Sequence, residues 1–130
     1  MKKIITISIT LLLLTGCGNN IICKTNKDTI SETYTIEHSD NTVTKVTTKK
    51  TYKFNSKDEF KSFEPMMQYI IKSNTDDNIK SSYKKKIKKY ILKQEYNVEN
   101  MSDEDLIKYG LNKNKEELVN NLKNSGLTCK

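Results

Sequence analysis

Between Thr29 and Glu37 the apolar residues Ile30, Tyr34 and Ile36 alternate with polar ones, and Ser39-Asp40-Asn41 then interrupts with turn-forming types. From Thr42 to Phe54 the pattern resumes with Val43, Val46, Tyr52 and Phe54 among many threonines. A period of two in Thr-, Tyr- and Val-rich segments around a polar break predicts a β-hairpin with one face half buried and His38 at its turn. Ser56-Lys57-Asp58-Glu59 has the spacing of a capping box, and Phe60, Phe63, Met67, Ile70 and Ile71 follow on one helical face. Pro65 is expected to kink this helix or to end it, with a second helix restarting from the proline, because proline lacks the N–H that the helix ladder needs.

Residues Ile79 to Val98 carry two periods. Ile79, Tyr83, Ile87 and Ile91 are four apart, as in a helix, whereas Tyr90, Leu92, Tyr96 and Val98 fit a strand. The tyrosine and valine content, with the lysine cluster as a solvated turn, favours a second hairpin over Asn78–Tyr83 and Ile87–Val98. Ser102-Asp103-Glu104-Asp105 then opens an acidic-first helix with Gly110 as its stop. Asn114-Lys115-Glu116-Glu117 opens another that ends at Gly126. The predicted fold is α+β, with an antiparallel sheet made from two hairpins and helices packed on one face, in a ββαββα-like order.

Ahead of this domain, Met1-Lys2-Lys3 precedes an eleven-residue run from Ile4 to Leu14 of apolar, Thr and Ser residues, and Leu14-Thr15-Gly16-Cys17 follows. The run is shorter than the roughly 20 residues that cross a bilayer core, so it fits a signal peptide and not a lasting span. The four residues ending at Cys17 resemble the lipobox, in which the cysteine thiol becomes a diacylglyceryl thioether before cleavage. That makes residues 1–16 a lipoprotein signal peptide, residues 17–22 a lipidated cysteine with a short tether, and residues 23–130 a single domain. The expected address is the extracytoplasmic face of the cell membrane, with lipid on Cys17 as the anchor; free secretion with an incidental cysteine is the other reading.

Sixteen of the 130 residues precede Cys17, and the 114 that remain suffice for one compact domain. Without Lys2 and Lys3 the 23 basic residues become 21 against 16 acidic ones, a surplus of five. Lys84, Lys85, Lys86, Lys88 and Lys89 form the densest cluster and are candidates for contact with an anionic surface. A lysine-rich composition with a solvated charge run is the plainer explanation. On a bacterial surface the abundant polyanions are phospholipid heads and wall polymers, and no nucleic acid partner is expected.

Cys23 and Cys129 lie near the two ends of the mature chain, in a compartment where disulfides persist. One bond between them would close about 105 residues. Two separate thiols are the alternative. A metal pair would need further ligands, and only His38 could add one.

The remaining chemistry is sparse. The four glycines flank Cys17 or stop helices, which leaves none for a phosphate-binding loop. Asp76-Asp77 and Asp103–Asp105 read as turn and helix-start residues. Tyr83, Tyr90 and Tyr96, interleaved with lysine, suit either a sugar- or peptide-binding face or ordinary sheet packing. No catalytic residue, metal or cofactor is expected.

The lipobox, a cysteine soon after it, the Thr-rich hairpin, a helix, a second hairpin running into an acidic helix, and the terminal Gly126-Leu127-Thr128-Cys129-Lys130 together resemble the YehR-like family of small bacterial lipoproteins. The resemblance is one of layout and implies the fold more than any activity. The expected function is a non-enzymatic binding or interaction domain at the cell envelope, meeting an envelope protein or polymer. A small-ligand receptor component is the alternative, and an enzyme with an unrecognised site ranks behind both.

Overall fold

A computed structural model describes residues 20–27 and 29–130. Cys17, with the signal peptide expected over residues 1–16, lies outside the described residues. The chain forms strands β1 (Asn20–Asn26), β2 (Ile30–Ser39) and β3 (Thr42–Lys53), then helix α1 (Lys57–Ser73). Strands β4 (Ile79–Lys86) and β5 (Lys89–Tyr96) follow, then a 3₁₀ turn at Val98–Asn100, helices α2 (Asp103–Lys108) and α3 (Lys115–Asn124), and strand β6 (Thr128–Cys129). The six strands make one sheet in the order β4-β5-β3-β2-β1-β6, and every neighbouring pair is antiparallel. The α+β class therefore holds. The ββαββα-like order does not, because three strands precede the first helix and a sixth strand follows the last.

The two additional strands have little local signal. β1 includes residues 20–22, expected as tether, and its sequence Asn-Ile-Ile-Cys-Lys-Thr-Asn has no clean alternation. Its backbone is satisfied by β2 on one side and by β6 on the other, where Ile22 and Lys130 exchange hydrogen bonds of 3.0 and 2.9 Å. Cys23 therefore faces Cys129 in a non-hydrogen-bonded pair, the closer of the two antiparallel pairings. Their Cα atoms are 4.0 Å apart and the two cysteines form a disulfide.

Ser56 caps α1 as the sequence predicts, its hydroxyl accepting from the Glu59 amide at 3.2 Å. The helix runs unbroken through Pro65, so it does not end and restart there. Proline forfeits one ladder bond and crowds the carbonyl four residues earlier, at a cost of about 3 kcal/mol. The apolar face around it offsets this: Met67 is fully buried, the Phe60 ring stacks on Tyr90 at 4.6 Å, and Phe63 lies 5.0 Å from Tyr52.

Residues 78–98 are a hairpin, although its turn is not the lysine cluster. Lys84, Lys85 and Lys86 belong to β4, and a two-residue turn at Ile87-Lys88 closes the pair Lys86–Lys89. Lysine solvates as well on an edge strand as in a turn, so charge alone could not locate the break. His38 likewise lies inside β2, half buried, with Nδ1 donating to the Asp40 carbonyl at 2.9 Å.

Gly110 (φ 69°) and Gly126 (φ 99°) stop α2 and α3 in the left-handed region that glycine enters without a Cβ clash. The Leu111 and Leu127 amides then reach back to the Leu106 and Leu122 carbonyls at 2.7 and 3.1 Å. Asn41, in the β2–β3 turn, takes the Lys115 amide on its carbonyl and the Glu116 amide on its side chain, docking the turn against α3.

Candidate functional site

Alternation along each strand and the cross-strand register divide the sheet into two faces. One face carries Ile36, Val46, Tyr96 and Ile79 in one row and Tyr52, Tyr90 and Lys85 in another. The first row meets α2 and α3 through Leu106, Leu118 and Leu122, and the second meets α1. Between the two clusters runs a polar seam: Tyr96 Oη donates to Gln94 at 3.1 Å, and the side-chain amides of Gln94 and Asn74 both reach Ser81 Oγ at 3.2 Å.

Among the described residues, no helix covers the opposite face. Strand β3 places Lys45, Lys49 and Lys53 there, and β1 adds Lys24. Strand β4 adds Lys80, Lys84 and Lys86, and β5 adds Lys89 and Lys93. Thr33, Thr35, Thr47 and Thr51 stand between them, and no described residue on this face is buried. The acidic residues on it are Glu37 and Glu95, with Lys45 at 4.0 Å from Glu37 and Lys93 at 3.3 Å from Glu95. A hydrogen bond from Lys93, then the charges of Lys45 and Lys80, hold the Glu95 carboxyl below its ordinary range.

The charge division is uneven. Counting from residue 17 onward, the strands place on this face nine of 21 lysines and two of 16 acidic residues, a surplus of seven. The rest of the chain holds twelve lysines and fourteen acidic residues, a deficit of two. A shallow trough of about 360 Å³ lies on the face, with Lys49, Lys84, Lys86 and Lys93 around it.

The predicted lysine cluster is thus split by the pleat. Lys84, Lys86 and Lys89 lie on the open face, and Lys88 is in the turn at φ 56°. Lys85 points to the helix side, where its Nζ is 3.1 Å from Glu64 and 5.6 Å from the centre of the Phe60 ring. The Glu64 contact, chiefly its hydrogen bond, raises the Lys85 pKa. Tyr83, Tyr90 and Tyr96 also face the helices, with Tyr90 fully buried, so packing is the correct account of them. Lys24, Lys45, Lys49, Lys53, Lys80 and Lys93 went unrecognised in the sequence. Lys45, Lys49 and Lys53 are spaced by four, an even number that puts all three on one side of a strand.

A second concavity lies on the helix side, a cleft of about 510 Å³ whose walls include Ile30, Glu32, Tyr34, Tyr109, Leu122 and Leu127. Burial, then the charge of Glu32, pushes the Tyr34 hydroxyl pKa up. Among the described residues no group of three or more His, Cys, Asp or Glu side chains is placed to hold a metal ion, and no helix is long and apolar enough to cross a membrane.

No protein-family model matches the chain, and no curated protein does. Among solved structures it is similar to the NMR structure of a protein from Streptococcus pneumoniae TIGR4, at 13% identity over 87% of each chain and with a TM-score of 0.49.

Proposed function

We propose that this chain is a lipid-anchored protein of the cell envelope, held on the extracytoplasmic side of the membrane through Cys17. Its domain acts as a non-enzymatic binding module for an anionic envelope component. The observation that carries the binding reading is the charge division: a surplus of seven positive charges on one uncovered sheet face, against a deficit of two over the rest of the mature chain. The anchor rests on Leu14-Thr15-Gly16-Cys17 after a short apolar run. The layout shared with the YehR-like lipoproteins supports the same address.

Cys17→Ser removes the only thiol that can accept the lipid at this site. The variant should remain uncleaved and unlipidated, with mass spectrometry of the N-terminus as the readout. A diacylated mature N-terminus in that variant refutes the anchor.

The cleft beside Tyr34 and Tyr109 favours a second reading, a small-ligand-binding lipoprotein, since its roughly 510 Å³ falls in the usual range of ligand pockets. A thermal-shift screen of amphipathic small molecules separates the two. Under the second reading a hit is lost in Asn121→Trp, which fills the cleft from an exposed position of α3, and kept when open-face lysines are neutralised.

A further inference from the structure

Deepening the reading of an anchored binding module, we infer that its anionic partner is the phospholipid surface itself, on which the open sheet face lies flat with the helices turned to the aqueous side. Three features of the face select this partner over a small anion or a stacked ligand.

The first is extent. From β1 to β4 the face crosses five strands, about 19 Å at the usual strand spacing. That exceeds the Debye length of about 8 Å at physiological salt, so lysines at the two margins act together only on an anion at least as broad. The second is chemistry. The tyrosines of the sheet pack on the helix side with Phe60 and Phe63 of α1, so the open face offers ammonium groups and hydroxyls without an aromatic platform. The third is position. β1 begins at Asn20, three residues after Cys17, so the chain can separate the anchor from the sheet by at most about 10 Å. Ile22 and Lys24, the first apolar and charged residues of that strand on the open side, follow at once, and Ile22 is 43% exposed.

Lysines on an edge strand also block unwanted sheet pairing, which accounts for Lys80, Lys84 and Lys86 on β4. It does not account for Lys45, Lys49 and Lys53 on β3 or Lys93 on β5, which are interior strands with both edges paired. Nor does a lysine-rich composition separate the lysines from their counter-charges. Ile87, 92% exposed between Lys86 and Lys88 at the β4–β5 tip, lies at the sheet end opposite Asn20 and provides a second apolar contact far from the anchor.

The test uses the lipidated chain, its N-terminal mass measured first, reconstituted in vesicles of phosphatidylglycerol or of phosphatidylcholine. A fluorescent probe is placed at Thr47→Cys in the centre of the open face, or at Tyr69→Cys on the outer side of α1, and is quenched by a lipid-borne quencher. Quenching of the Thr47 probe should be strong in phosphatidylglycerol, weak in phosphatidylcholine and lost in high salt, while the Tyr69 probe stays unquenched. Each lysine near an anionic leaflet changes partition about fivefold. Replacing the exposed Lys49, Lys84 and Lys93 by Gln should therefore weaken the phosphatidylglycerol effect at least tenfold, with circular dichroism and melting temperature unchanged. Lys85→Gln, which alters the α1 contact, should leave the quenching intact.

Equal quenching of both probes, or of either probe in both lipids, overturns the flat orientation. Soluble poly(glycerol phosphate) bound by the face while phosphatidylglycerol vesicles give no quenching overturns it in favour of a wall polymer. If the mass shows no lipid, the anchor fails separately, and co-sedimentation of the same protein with phosphatidylglycerol vesicles still decides the face.

Discussion

Tyr96 stands at the polar border of the cluster under α2 and α3, with its ring 5.7 Å from that of Tyr109 and its hydroxyl donating to Gln94 at 3.1 Å. Burial, then the neighbouring Tyr34 and Tyr109 hydroxyls, push its pKa up from 10.0 to about 12. The folded value lies above the unfolded one, so the folded state keeps a proton that the unfolded state releases. Its contribution is complete below pH 10 and is lost as pH rises towards about 12. Tyr96→Phe should therefore cost about 1 kcal/mol at neutral pH through the lost hydrogen bond. It should also flatten the fall in stability between pH 10 and 12. Thermal melts of both proteins across that interval check this, since the lysines titrate alike in the two and cancel in the comparison. Parallel curves would reject the assignment.

Among the elements, α1 pairs a strong local start with a local fault. Ser56 caps it, and Pro65 sits in its interior without breaking it. Pro65→Ala restores one amide donor and removes the ring from the preceding turn, against a smaller gain of freedom in the unfolded chain. The expected outcome is a stabilisation of about 1 to 2 kcal/mol, read as a melting temperature several degrees higher. An unchanged or lower midpoint would mean that the apolar face depends on a proline-shaped bend. The same contrast explains what was legible in the sequence. Caps, glycine stops and the β2–β3 hairpin are decided within a few residues and could be read directly. β6 is two residues long and pairs with a strand at the far end of the chain, and β1 has no clean alternation, so neither showed as a strand. The open face stayed hidden for a related reason: adjacent Lys84 and Lys85 look alike in sequence, and only the strand limits and register send one to each side.

For the molecule as a whole, the bond between Cys23 and Cys129 turns 106 residues of sequence separation into a closed circuit. Constraining the unfolded chain in this way typically contributes about 2 to 4 kcal/mol, so reduction should lower the melting temperature by several degrees. The circuit also governs how the domain comes apart. Lys88, exposed at the β4–β5 tip, is a natural target for trypsin. A cut there should give two fragments on a reducing gel and one band of full mass on a non-reducing gel. Two bands without reductant would contradict the closed circuit. Intact, the circuit lets a nicked copy hold together as a single covalent body, so that a protease acting on the hairpin tip sheds nothing. Dismantling the domain then requires two unrelated chemistries at two distant points, peptide hydrolysis at the tip and thiol exchange at the fully buried Cys23.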